Sequence, residues 1–154
     1  MSSLLQEAQK LLKIKAVYLQ NSFIDLAENI DMNDLGDTSV SVQSFKGVSK
    51  IREASFENDD QTWWEYHFYF AVGIRLVDEE DEEIEQNEDV APIVEIKGTF
   101  SARYESPKQL TKEQREAFSE KNVGFNVWPY WREYVQSSCM RLNIEPIEVP
   151  FYFC

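Results

Sequence analysis

Two cysteines in 154 residues, one of them the last, cannot build a disulfide framework. The single histidine, His67, leaves no Cys/His set with metal-ligand spacing. A Cys-His nucleophile would need His67 to meet Cys139, which lies on an apolar helical face. Five glycines supply no phosphate-cradling loop. No apolar run approaches the roughly 20 residues that a membrane span needs. The opening, MSSLLQEAQKLLKIKAVYL, is broken by Glu7, Lys10, Lys13 and Lys15 and does not read as a signal peptide. Basic residues are scarce: 15 Lys and Arg stand against 28 Asp and Glu, a net charge of -13. A phosphate backbone would be repelled, which excludes nucleic acid as the expected partner. These absences predict a non-enzymatic cytoplasmic protein with no metal, no cofactor and no membrane insertion.

What is abundant is apolar and aromatic: 43% hydrophobic residues and 14% aromatics. That suffices for a core and is far from a disordered profile. The length favours one domain over 1–154. The chain opens with a short amphipathic helix over Ser3 to Leu12, whose leucines have no partner nearby and are expected to pack on another subunit. Ile14 to Asp25 follows as a strand, bent or bulged near Asn21. A polar connection covers Asn29 to Asp37. Thr38 to Phe56 is the second strand, with a bulge or kink expected where the spacing shifts at Phe45 and Gly47. ENDDQ then makes a tight turn.

Thr62 to Val77 is the clearest strand. Trp64, Tyr66, Phe68, Phe70, Val72, Ile74 and Leu76 alternate with Trp63, Glu65, His67, Tyr69, Ala71, Gly73 and Arg75. An acidic run over Asp78 to Asp89 follows. It lacks the glycine and ligand spacing of a helix-loop-helix calcium site and reads as a solvated loop or a docking surface for a basic partner. Val90 to Tyr104 is the fourth strand. A helical segment from Pro107 to about Asn122 carries a capping box at Thr111 and Gln114, and Gly124 is expected to end it. Strands followed by helices indicate an α+β fold with an antiparallel sheet.

The last segment, NVWPYWREYVQSSCMRLNIEPIEVP, organises the rest. Pro129 is expected at the start of a helix running to Leu142. Trp128, Trp131, Val135, Cys139 and Leu142 recur at steps of three and four on one face. Pro146 and Pro150 bracket an extended tail. An Asn, two apolar residues, then Pro-Tyr-x-Arg-Glu, a later Arg and a Pro-rich ending resemble the SecB family of protein-export chaperones. The matching residues are Asn126, Pro129, Tyr130, Arg132, Glu133, Arg141, Pro146 and Pro150. Family members usually carry a second helix after the Pro-rich ending, and the sequence reads only to Cys154.

The resemblance implies a SecB-like four-stranded antiparallel sheet with a long C-terminal helix against it. It also implies a homotetramer built as a dimer of dimers. Function would be ATP-independent holding of unfolded or precursor polypeptides, with delivery to the SecA translocation motor. The alternative is a SecB-fold adaptor dedicated to one partner, such as an antitoxin. Aromatics exceed what one core face requires, so Trp63, Trp64, Tyr66, Phe68, Phe70, Trp128, Tyr130 and Trp131 are candidates for client binding or subunit packing. By the same resemblance, Asp25 and Glu79, with Val77 as apolar neighbour, stand near the acidic positions that contact the basic tail of SecA.

Overall fold

Period-two alternation becomes four antiparallel strands, and the helical segments gather on one side of them. The computed structural model describes residues 3–28, 39–79 and 91–152. The order is α1 (Ser3–Leu11), β1 (Lys13–Leu26), β2 (Val40–Asn58), β3 (Gln61–Asp78), β4 (Val94–Ser106), α2 (Lys112–Lys121) and α3 (Val123–Leu142). The sheet order is β1-β4-β3-β2. The expected connection over 29–37 and most of the acidic run lie outside the described residues.

Register explains why one face of the sheet is buried. Tyr66, Phe68, Phe70, Ile74 and Leu76 of β3 stand opposite Tyr104, Ala102, Phe100, Ile96 and Val94 of β4. All ten are buried, as period two requires when one face is covered. The rings interlock edge to face: Phe68 meets Tyr104 at 5.5 Å, and Tyr104 meets Phe118 of α2 at 5.0 Å. Phe100 meets Trp131 of α3 at 6.5 Å. The bulge expected near Asn21 falls between Leu19 and Asn21, and a second lies between Ile14 and Ala16. In β2 the irregularity falls between Val48 and Lys50, just beyond Gly47. Asp59, at φ 52°, takes the left-handed conformation in the β2–β3 turn.

Three expectations are corrected. The long helix begins at Val123, so Pro129 lies inside it. An interior proline costs about 3 kcal/mol. The extra turns bury Val123 and Val127 completely, and each such burial contributes about 1.5–3 kcal/mol. Gly124 therefore ends nothing. It is the second residue of α3 and is there for a contact described below. Third, α1 does have a partner in its own chain, since it packs on α2. Leu5 and Ala8 are buried there, Gln9 donates to Asn122 at 2.9 Å and Gln114 donates to Glu7 at 3.1 Å. The capping box at Thr111 and Gln114 forms as read. At the far end of α3, Asn143 adopts the left-handed conformation and its N–H reaches Cys139 and Met140.

Polar ties fix the helices to the sheet. Tyr104 donates to Asn126 Oδ1 at 2.6 Å, and Asn122 donates to the same oxygen at 3.2 Å. Burial raises the Tyr104 phenol well above its ordinary range. Glu53 of β2 receives Tyr66 at 2.6 Å, Gln109 at 3.1 Å and Arg115 at 3.2 Å. Tyr66 in turn accepts the Leu110 N–H at 2.7 Å. Burial and the Glu53 carboxylate push the Tyr66 phenol up to about 12. Burial alone would raise the Glu53 carboxyl, but the bonds from Tyr66, Gln109 and Arg115 outweigh it and hold it below the usual range.

A depressed folded-state value stabilises the fold above the unfolded carboxylate value of about 4.3 and stops doing so as pH falls through the folded one. Glu53→Gln is therefore expected to lower stability at pH 7 by about 1 kcal/mol. Urea midpoints for variant and parent should converge as the pH approaches 3.

Candidate functional site

The C-terminal tail turns back from α3 toward β2 and leaves a groove between them. The tail follows Leu142, and Pro146 and Pro150 keep it extended. Ile147 and Val149 are buried by it against the core. Trp128 Nε1 donates to the Pro150 carbonyl at 2.6 Å, which pins the tail to α3. Tyr152 fills a socket made by Phe125, Trp128 and Phe70, with ring centroids 4.8, 5.1 and 6.4 Å away. A Cβ on Gly124 would fall on the Tyr152 ring. That close approach is what the glycine in α3 permits.

The groove has a volume of about 350 Å³. Val42, Ser44 and Lys46 of β2 form one wall, and Val149, Pro150 and Phe151 form the other. Val72, Ile74, Trp128 and Trp131 lie beneath. Its rim is apolar and accessible: Val42 is 52% exposed and Phe151 is 74% exposed. Cations sit against its rings. Lys46 Nζ lies 4.5 Å from the Tyr152 ring and 5.4 Å from Trp128, and Arg132 lies 5.2 Å from Phe151. β2 is an edge strand of the sheet. The site thus offers an elongated apolar trough beside a strand edge, where an extended segment can lie. Few polar groups converge in it, so it can hold apolar side chains of varied shape.

A larger hollow of about 630 Å³ lies farther along β2, against α2. Its charges are largely matched: Arg115 pairs with Glu53 at 3.2 Å and Lys112 with Glu116 at 3.9 Å. It lacks an exposed aromatic rim and is the weaker polypeptide site.

The aromatic candidates divide. Trp128, 9% exposed, lies at the groove floor, and Trp131 lies beneath it, 1% exposed and part of the core. Tyr66, Phe68 and Phe70 do not present themselves to a client. They are at most 1% exposed, inside the chain's own core. Trp63 stacks on Phe56 at 5.7 Å on the opposite face of the sheet. Trp64 is half-buried on the helix side, and Tyr130 is 49% exposed on α3. The acidic trio divides as well. Asp25 and Glu79 are exposed near one end of the sheet, whereas Val77 is fully buried and is no surface neighbour to them. The groove residues that the sequence did not single out are Val42, Val149 and Phe151. For Val149 and Phe151 the neighbouring prolines were the only signal, and Val42 carried none beyond its place in a strand. Among the described residues no cluster of His, Cys, Asp and Glu could hold a metal ion, and no helix is long and apolar enough to cross a membrane.

No protein-family profile matches the chain, and no curated protein matches it in sequence. Solved structures do match. A SecB-like chaperone of Mycobacterium tuberculosis, in complex with a ChAD peptide from the HigA1 antitoxin, superposes with a TM-score of 0.69 at 13% identity, covering 99% of each chain. A Streptococcus agalactiae protein of unknown function gives a TM-score of 0.40 at 9% identity over 91% of this chain and 97% of its own. The first likeness shows the fold: it is SecB-like, with the four-stranded antiparallel sheet and the long C-terminal helix.

The Tyr152 socket has a direct test. Gly124→Ala should expel the ring and release the tail, at a global cost of about 1 kcal/mol because the tail can move away while the core stays packed. Amide hydrogen exchange over residues 147–152 should then accelerate while β3 keeps its protection.

Proposed function

We propose that this chain is a SecB-like, ATP-independent holding chaperone that takes extended, non-native polypeptide segments into the groove between β2 and the C-terminal tail. The observation that carries the reading is that groove: an apolar trough with Val42 and Phe151 exposed on its rim, beside an edge strand. An unfolded client offers alternating apolar side chains that a folded one hides. Selection then follows from how long a client stays unfolded. Binding needs no nucleotide and no covalent chemistry.

The wider reading is a cytoplasmic homotetramer that holds precursor polypeptides and hands them to the SecA motor, with Asp25 and Glu79 meeting that motor's basic tail. A second reading is a SecB-fold adaptor dedicated to one partner such as an antitoxin. It is favoured by the Mycobacterium tuberculosis structure, whose bound ligand is a peptide of one antitoxin.

The test is light scattering. Several unrelated chemically unfolded clients are diluted into buffer containing the protein without nucleotide, and its oligomeric mass is determined alongside. A holding chaperone should suppress aggregation of all of them near one oligomer per client. The double variant Val42→Ser and Phe151→Ser removes exposed apolar surface without touching the core, so it should keep its fold and lose at least about tenfold in client affinity. A well-folded oligomer that suppresses none of the clients would reject the chaperone reading and leave the dedicated adaptor.

A further inference from the structure

The outer face of the sheet, away from the helices, has a charge pattern that the chain as a whole lacks. Two cross-strand pairs bound its centre, Glu65–Glu105 at one end and Arg75–Glu95 at the other. Between them lie four rows of outward-facing residues, following the register of all four strands. These rows carry Arg52, Arg103, Lys50 and Lys97, together with His67, and hold no Asp or Glu. That is notable in a chain with 28 acidic and 15 basic residues. Strand geometry makes the field about 20 Å long and about 14 Å wide. Part of its floor is flat, because Gly47 and Ala71 face each other there.

Internal partners neutralise only part of the field. Glu65 reaches in from the boundary, 2.8 Å from His67 Nε2 and 3.9 Å from Arg103. Lys97 lies 3.9 Å from Glu95. Arg52 donates to Tyr69 Oη at 3.3 Å, and Lys50 lies 5.8 Å from the same ring. Neither Arg52 nor Lys50 forms an ion pair among the described residues. Arg103 Nε, His67 Nδ1 and Ser101 Oγ are buried and find no protein partner among the described residues. Those three atoms are closed to an incoming segment, so what the field offers a ligand is the exposed Arg52 and Lys50 and the outer part of the Arg103 side chain, which is 41% exposed.

We propose that this field is a docking site for an acidic polypeptide segment. Its carboxylates pair with Arg52, Lys50 and Arg103, and its backbone crosses the flat floor. The site is on the opposite side of the sheet from the groove, so the two can be occupied together, and the assignment does not depend on the groove reading. A few carboxylates match a few cations. A nucleic acid does not, because its unbroken run of phosphates would reach the bounding glutamates and meet a net charge of -13. A basic segment would be repelled by the centre of the field. The sign is thus opposite to that of a contact through Asp25 and Glu79.

Fluorescence anisotropy with a fluorescein-labelled decapeptide of alternating glutamate and serine tests the proposal. Its glutamine-serine twin and a ten-nucleotide oligothymidine serve as comparison probes. The acidic peptide should bind at least about tenfold tighter than its twin. Arg52→Glu with Lys97→Glu, both at exposed positions, should weaken it about tenfold or more. Glu65→Gln releases Arg103 and His67 and should tighten it about threefold. The opposite directions separate a charge effect from a loss of fold, which circular dichroism checks. Equal affinity for the twin, tighter binding of oligothymidine, indifference to both charge changes, or displacement of the peptide by an unfolded client would each overturn the assignment.

Discussion

The aromatic face of β3 has to be kept from water, and only one layer of helix is on hand to do it. Tyr66, Phe68 and Phe70 set that demand. Phe118, Trp131, Val127 and Val135 meet it. The sheet is consequently covered on one side, and its β1 and β2 edges pair with no further strand among the described residues. A protein organised this way gains its stability on one surface and presents the other to its surroundings.

The same demand explains why a proline and a glycine are tolerated inside α3. Both would weaken an isolated helix. Here the helix is held by what it covers, and its glycine makes room for the tail. Gly124 lets Tyr152 approach, and Trp128, one residue before Pro129, supplies the indole N–H that holds Pro150. The tail is thus fastened at two points and leaves a trough between itself and β2. Groove and core meet at Trp128 and Trp131, so the side chains that stabilise the fold also underlie the candidate binding surface.

Sequence reading went furthest where a pattern is local. The alternation over 64–76, the capping box and the helical steps from Trp128 to Cys139 all appear as read, because period and capping depend on near neighbours. The start of α3 was misjudged because proline is a strong local signal, while the burial of Val123 and Val127 that overrides it is tertiary. The core aromatics could not be told from the groove aromatics, since Phe70 and Trp131 look alike until the tail is placed. The outer cationic field was invisible for a related reason. Arg52, His67 and Arg103 are neighbours only through the register of three strands.

The β2–β3 hairpin raises an alignment problem. Sliding one strand past the other by two residues keeps every side chain on its own face, so inside-outside patterning alone does not reject the error. Gly73 does. It stands opposite Phe45, whose ring occupies the space where a Cβ would be. In a slipped pairing that ring meets the Cβ of Ala71 or Arg75 and has to leave its present position over the strand. The missing methyl group at Gly73 thereby favours the observed frame over its two neighbours.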